Sequence, residues 1–168
     1  YALYAEADEA SAIEMGQLLE ASWGAFEPYF GATPPLAAGE RLRVAYYADQ
    51  AAFAAALAAD GVPVPSDAGG YFDPGTRKAY LYRQGNPYYN HVLLLHEATH
   101  QFHLLARTGN QPLPFWYVEG LAEQRSVRVL CRTLRLLEKS RRSLLLSAKS
   151  AGTFHQTRRA PGQRAPAG

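Results

Sequence analysis

The residues best suited to chemistry form a five-residue motif in the middle of the chain. His96, Glu97 and His100 match the pattern H-E-x-x-H. In an α-helix, side chains four residues apart lie one above the other on the same face. Two imidazoles so arranged can bind one Zn²⁺ at about 2.0–2.1 Å. Glu97 would lie beside the metal, where it could accept a proton from an activated water. The motif therefore predicts a catalytic zinc site.

Such a site needs a third protein ligand and one open coordination position. Glu119 is the best candidate, because the eighteen residues between His100 and Glu119 allow one helix to end and a second helix to return to the metal. Glu123 follows four residues later on the same helical face, and it could hydrogen-bond the far nitrogen of a ligand histidine. His103, seven residues after His96, is the alternative third ligand.

The hydrophobic pattern predicts the helices that this site requires. Residues 88–106 have the spacing of a helix with an apolar stripe, and the motif falls in its middle. Gly109 and Asn110 are predicted to end it. A second helix is predicted to begin at Trp116, to carry Glu119 and to run on through Leu130.

The rest of the chain supplies further predicted elements. A helix is expected over about 7–30, and a strand over 41–48. Asp49 is a predicted N-cap for the Ala-rich helix that follows. Residues 71–83 predict a β-hairpin that turns at Asp73-Pro74-Gly75-Thr76, with Tyr80 and Tyr82 on one face of its second strand.

Together these motifs resemble those of the gluzincin metallopeptidases. The segments H-E-A-T-H-Q-F and P-F-W-Y-V-E-G-L-A-E are most similar to the peptidase-MA-like families of bacteria. The resemblance implies an α+β, zincin-like fold, in which a small, mostly antiparallel sheet packs on the HExxH helix and a second helical lobe carries the third ligand. It also implies that an edge strand before the HExxH helix lines the cleft and pairs with an extended peptide.

The same resemblance implies the site residues and the reaction. His96, His100 and Glu119 would bind Zn²⁺, Glu97 would be the general base and Glu123 would support a ligand histidine. The expected reaction is zinc-dependent hydrolysis of a peptide or protein substrate. Members of these families are often exported, so an extracytoplasmic or secreted location is favoured.

Peptide hydrolysis also needs a hydrogen-bond donor for the oxyanion, besides the metal. Tyr117 is one candidate. Tyr88, Tyr82 and His91 are alternatives, and the sequence does not choose among them.

Composition indicates one globular domain with an unusual end. The chain of 168 residues contains no apolar stretch long enough to span a membrane. The single cysteine, Cys131, excludes an intrachain disulfide framework.

Residues 1–124 carry 6 basic and 14 acidic residues, a balance of −8, whereas residues 125–168 carry 11 basic residues and one acidic residue, a balance of +10. We therefore divide the chain into a metallopeptidase domain at 1–124, a basic helical extension at 125–150 and a disordered tail at 151–168.

The basic end has three interpretations: an interaction arm, a helical extension that ends in disorder, or the product of a shifted reading frame in a GC-rich gene. The abrupt change of charge favours the third interpretation, and an intact single reading frame through residue 168 would contradict it.

The sequence also leaves two alternatives to an enzyme. One is an inactive zinc-binding relative that acts as a binding module, and the other is a basic domain associated with nucleic acid, a partner that we do not expect.

Overall fold

The computed structural model describes residues 1–65, 67–107 and 112–154, with side chains described as far as residue 135 and at Lys139. Within these residues the protein is α+β, with four helices and one four-stranded sheet. In chain order the elements are β1 (Ala2–Ala5), α1 (Glu9–Phe30), β2 (Arg43–Tyr47), α2 (Gln50–Ala59), β3 (Gly70–Asp73), β4 (Lys78–Tyr82), α3 (Pro87–Ala106) and α4 (Phe115–Phe154).

The chain divides into two compact units, Tyr1–Thr133 and Leu134–Gly168. The first contains the sheet, α1 to α3 and the beginning of α4. The described part of the second is the remainder of α4, which is helical as far as Phe154. Among the described residues, no helix is both long enough and apolar enough to cross a membrane.

The sheet has the order β1-β2-β4-β3 and is mixed. The β1–β2 and β2–β4 pairs are parallel, and only the β3–β4 hairpin is antiparallel. The expectation of a mostly antiparallel sheet is therefore wrong. The β1–β2 connection contains α1, which returns the chain to the end where β1 began, so β2 runs parallel to β1. Strand β3 runs antiparallel to β4 and therefore to β2, so β4 again has the direction of β2.

Helices cover both faces of the central strands. Ala45 and Tyr47 of β2 belong to a core cluster with Phe53 of α2. Val44 and Tyr46 are buried on the opposite face, where α3 packs on β3, β4 and α1. Since β2 is buried on both faces, its run of apolar residues is continuous rather than alternating.

Helix α3 is fixed to the sheet near both of its ends by amide side chains. Its N-cap is Asn86, whose side chain accepts a hydrogen bond from the Tyr88 amide at 2.9 Å. Near its start, Asn90 accepts from the Gln84 amide at 2.7 Å, just after β4. Near its end, the buried Gln101 amide donates to the carbonyls of Arg43 at 2.9 Å and Arg77 at 3.0 Å. The segment between Asn90 and Gln101 contains the H-E-x-x-H motif.

Most predicted elements are confirmed. Helix α1, strand β2, the hairpin β3–β4 and helix α3 lie where the sequence pattern places them. Asp49 caps α2 by accepting a hydrogen bond from the Ala52 amide at 2.9 Å. Tyr80 and Tyr82 share a face, and the Tyr82 ring contacts Phe53 with centroids 5.3 Å apart. Strand β1 was not predicted, because its four residues include two alanines, which have low strand propensity.

The C-terminal predictions are tested only in part. Helix α4 begins at Phe115 and continues past Leu130 without a break at 124. Residues 151–154, placed in the predicted tail, belong to α4, and 155–168 lie outside the described residues. Gly109 and Asn110, the predicted end of the motif helix, also lie outside them, although α3 ends at Ala106. The domain boundary at 124 stays a prediction.

The contact between α1 and α3 is made by aromatic rings around Phe102. This side chain has no exposed surface. Its ring centroid lies 5.1 Å from that of Trp23, 5.4 Å from that of Phe26 and 5.6 Å from that of Phe30. Because Phe102 follows the motif by two residues, this packing fixes the side of α3 that faces away from the metal ligands.

We expect Phe102→Ala to lower the free energy of unfolding by about 3–5 kcal/mol, because it removes a fully buried ring and leaves a cavity. Urea denaturation monitored by circular dichroism measures this change. Ile13→Ala, at a position of α1 that is 54% exposed, is the control and should change stability by less than about 0.5 kcal/mol. A loss below about 1 kcal/mol for Phe102→Ala would contradict the packing described.

Candidate metal centre

Three predicted ligands, from two helices, converge on one point. His96 and His100 of α3 place their Nε2 atoms 3.0 Å apart. Glu119 of α4 brings Oε2 to 3.3 Å from His96 Nε2 and Oε1 to 3.4 Å from His100 Nε2. Among the described residues, these three form the one group of histidine, cysteine and acidic side chains that could hold a metal ion.

The distances fit a single small cation. Ligand atoms about 2.0–2.1 Å from a tetrahedral zinc ion lie about 3.3–3.4 Å from one another. The separation of the two histidine Nε2 atoms is 3.0 Å, and each lies 3.3 or 3.4 Å from one of the two Glu119 oxygens, so all three distances are close to this value. Two imidazoles and a carboxylate are also a donor set that zinc accepts. The residues present therefore fit a zinc ion.

The electrostatics of the histidines also favour metal binding. Burial, followed by the neighbouring charges of His96 and His103, lowers the pKa of His100 to about 3. The His100 ring is therefore neutral at pH 7, the state in which imidazole binds a metal. Two ring nitrogens 3.0 Å apart cannot both direct lone pairs at each other without repulsion, so they must share either a proton or a cation.

Glu97 lies beside the three ligands in the tightest part of the site. Its side chain is 4% exposed. A Cβ atom on Gly70, the first residue of β3, would lie 2.8 Å from both Cγ and Oε1 of Glu97, closer than such atoms can approach. The backbone φ of Gly70 is not in the left-handed region, so space rather than conformation requires glycine here. The edge strand thus holds the Glu97 carboxyl group in position.

The surroundings of Glu97 increase its affinity for a proton. Burial raises its pKa to about 8, and the negative charge of Glu119 contributes in the same direction. A hydrogen bond with the backbone of Phe72 acts in the opposite direction. A carboxyl group in this environment can both accept and return a proton near neutral pH.

Glu123 lies one helical turn beyond Glu119 and approaches the other nitrogen of His96. Its Oε2 atom is 3.7 Å from His96 Nδ1, and its side chain is 72% exposed. This distance is longer than a hydrogen bond. The structure therefore brings Glu123 to the predicted side of His96, without the predicted hydrogen bond.

The centre opens into a cleft with a volume of about 490 Å³. One wall consists of Gly69 and the first three residues of β3, Gly70 to Phe72. Helices α3 and α4 form the other walls. The Glu119 side chain, 39% exposed, lies on the open side. The arrangement leaves a metal held by the three ligands accessible to water and to a bound molecule, as a catalytic site requires.

The predicted oxyanion donors do not line this cleft. Tyr117 packs against His103, with ring centroids 6.1 Å apart, and lines a separate pocket with Tyr29 and Phe30. The reason is helical geometry: residues two apart, such as 117 and 119, point about 200° apart. The alternative ligand His103 is also turned away from the metal group, since it stacks on Phe30 at 5.1 Å.

The other candidate donors are also placed elsewhere. Tyr82 contacts α2, and His91 lies 3.8 Å from Glu14 of α1. Tyr88 is exposed outside the cleft. The tyrosines that line it are Tyr71 and Tyr89.

Several of the cleft residues, among them Tyr89, Tyr71 and Gly70, were not singled out from the sequence. Tyr89 precedes His96 by seven residues, so helical periodicity could have placed it on the ligand face. Tyr71 and Gly70 could not be recognised in this way, because their proximity to Glu97 depends on how β3 lies against α3.

Comparisons of the chain with protein-family models, with curated proteins and with solved structures yield no match. The interpretation of the site therefore depends on its residues and geometry.

We expect Gly70→Ala to displace the Glu97 carboxyl group and to lower the free energy of unfolding by about 1–3 kcal/mol, because the added methyl group overlaps that side chain. Chemical denaturation of Gly70→Ala, Glu97→Ala and the double variant measures the interaction free energy between the two positions. In a Glu97→Ala background the same substitution should cost less than about 0.5 kcal/mol.

Gly85→Ala is the matched control, since a Cβ atom there would meet nothing within 4 Å. Equal costs of Gly70→Ala in the presence and absence of the Glu97 side chain would refute the proposed contact.

We expect the purified protein to bind about one zinc ion per chain, and His96→Ala, His100→Ala or Glu119→Ala to abolish tight binding, because each removes one of three ligands. Calorimetric titration after chelation measures the affinity. Glu123→Gln should weaken binding by about tenfold or less, the low end for an outer partner.

His103→Gln distinguishes the two candidate third ligands. It should leave zinc affinity unchanged, since His103 lies outside the ligand group. Loss of zinc in this variant together with retention in Glu119→Ala would reverse the assignment.

Proposed function

We propose that this protein is a zinc-dependent peptidase of the gluzincin type, which hydrolyses peptide bonds. One observation carries the proposal. The two histidine Nε2 atoms and the two carboxylate oxygens of Glu119 approach one another at 3.0–3.4 Å, beside a buried carboxyl group in an open cleft. Two histidines and a glutamate for the metal, with a second glutamate for the proton, are the parts that metal-assisted hydrolysis requires.

In this proposal, His96, His100 and Glu119 hold the zinc ion. When bound, the zinc ion would act as a Lewis acid that lowers the pKa of water toward about 7 and polarises a carbonyl group. Glu97 accepts a proton from the attacking water on its carboxylate and delivers it to the nitrogen of the leaving amine. Its burial beside the metal ligands and its position against Gly70 suit this role.

Strand β3 offers a binding surface for the backbone of an extended peptide. It is the last strand of the sheet and pairs only with β4 in the described part of the chain. Its residues Gly70 to Phe72 line the cleft, together with Gly69 just before the strand. The free edge of such a strand can form main-chain hydrogen bonds with an added peptide strand. We propose that the substrate binds in this way, with its scissile bond next to the metal ligands.

We expect the zinc-loaded protein to cleave members of a mixed peptide library, and Glu97→Gln to reduce the rate at least about 100-fold, because the amide cannot accept the proton. Mass spectrometry of the products identifies the cleaved bonds. The variant should still bind zinc, which separates loss of the base from loss of the metal.

Glu27→Gln is the matched control, because it removes the same charge from an exposed position on α1. It should leave the rate unchanged. If the wild type and Glu97→Gln both bind zinc and cleave no peptide, the protein is a zinc-binding module instead of a peptidase.

A further inference from the structure

A second pocket lies between α1, α3 and the first turn of α4, apart from the metal cleft. It has a volume of about 580 Å³ and shares no lining residue with the cleft. Its walls include three aromatic side chains, Tyr29, Phe30 and Tyr117, and two side chains with nitrogen donors, His103 and Arg107. Aromatic walls with a few converging polar groups are typical of a pocket that binds a small molecule.

His103 is buried in this pocket without a polar partner. It is 7% exposed, and its ring stacks on Phe30 with centroids 5.1 Å apart. Among the described residues, no group forms a hydrogen bond with its ring nitrogens. Burial and then the charge of Arg107 lower its pKa, so the ring is neutral at pH 7 and has one N–H donor. A buried donor needs a partner, and a ligand in the pocket would supply one.

The charge of the pocket favours an anion. Arg107 lines it, and the guanidinium carbon of Arg125 lies 3.1 Å from the centroid of the Tyr29 ring. The C-terminal ends of α1 and α3 also border it, at Phe30 and Ala106, and each contributes roughly half a negative charge. Two full positive charges outweigh these partial ones, and no acidic side chain is among the described lining residues. A zinc ion in the metal centre would not reverse this balance, because its charge is also positive.

We propose that this pocket is a second binding site, which takes a ligand that combines a carboxylate with a flat aromatic ring. Arg107 and the N–H of His103 donate to the carboxylate. The rings of Tyr29 and Tyr117, 47% and 41% exposed, pack on the aromatic part. Two sources share this chemistry: a free aromatic acid, and the C-terminal residue of a peptide that ends in an aromatic side chain. The site goes beyond the proposed hydrolysis and does not depend on it.

Isothermal calorimetry with zinc-loaded wild-type protein tests the site. The probe is hydrocinnamate, and the matched neutral compound is its amide, which keeps the phenyl ring and lacks the charge. The acid should bind at least about tenfold more tightly, because a hydrogen bond with a charged group contributes the equivalent of a factor of ten or more. Equal affinities of the acid and the amide would overturn the proposal.

A carboxylate can also bind a zinc ion directly, so a variant without the metal is measured in parallel. Glu119→Ala removes a metal ligand that lies outside the second pocket. It should still bind hydrocinnamate, with an affinity within about twofold of that of the wild type. Binding that requires zinc would belong to the metal cleft; it would refute the second site and leave the proposed peptidase function standing.

Variants of the pocket identify the groups that are responsible. Arg107→Gln should weaken the binding of hydrocinnamate at least about tenfold. His103→Phe should weaken it about threefold or more, because the phenyl ring preserves the stacking and lacks both nitrogens. Arg41→Gln is the matched control, at an exposed arginine outside the pocket, and should leave the affinity unchanged.

Arg107 is the C-cap of α3 and is only half-buried, so its variant can be measured even where His103→Phe does not fold. An affinity that is unchanged in Arg107→Gln, or reduced equally in Arg41→Gln, would overturn the assignment.

A pair of peptides distinguishes the two sources of the ligand. A pentapeptide that ends in Phe is measured with a free C-terminal carboxylate and with a C-terminal amide, using Glu119→Ala so that it is not cleaved. Binding of the free carboxylate alone, at least as tight as that of hydrocinnamate, would support the site and identify a peptide end as its ligand. Binding of hydrocinnamate without binding of either peptide would support a free acid, and failure of all the carboxylates to bind would refute the site.

Discussion

The structure depends on the enclosure of α3, a helix that must bury polar side chains on most of its circumference. Buried polar groups are costly unless they form hydrogen bonds. Asn90 and the side-chain nitrogen of Gln101 meet this requirement by bonding to the backbone of the sheet and its connections, and Thr99 does so by donating to the Leu95 carbonyl at 2.7 Å. These bonds, with the aromatic contacts of Phe102, fix the rotation of α3 about its own axis. That rotation leaves the face of the two ligand histidines directed at the cleft.

The remaining parts of the site come from elements that are distant in sequence. Helix α4 contributes Glu119, and strand β3 contributes the backbone that limits the position of Glu97. The charge of Glu119 acts on both functions, since it faces the histidines and also raises the proton affinity of Glu97. A cation bound between these groups would compensate the negative charge of Glu119. One carboxylate therefore faces the histidine pair and also acts on the proton affinity of Glu97.

The sequence predicts the local features of this protein well. The spacing of His96 and His100 follows from helical periodicity, and Asp49 and the β3–β4 turn follow from capping and turn chemistry. The resemblance to gluzincins predicts that Glu119 is the third metal ligand, and its position beside the two histidines fits that role. Strand direction was mispredicted, because parallel pairing depends on the path of the chain between strands. Tyr117 was predicted to face the metal site but lines another pocket, because residues two apart on a helix point about 200° apart. The contact of Gly70 with Glu97 could not be predicted, since no local pattern records how closely two elements approach.

That close approach also affects how the site could change during evolution. At Gly70 the wall beside the Glu97 carboxyl group consists of main chain, so almost any replacement there would disturb that group. The side chains that α3 and α4 present to the rim of the cleft have no such restriction, because Tyr89 and Phe115 are largely exposed. Mutational tolerance should therefore be very uneven across a few ångströms. The lining that the helices contribute to the cleft could change while the strand that contacts Glu97 stays invariant.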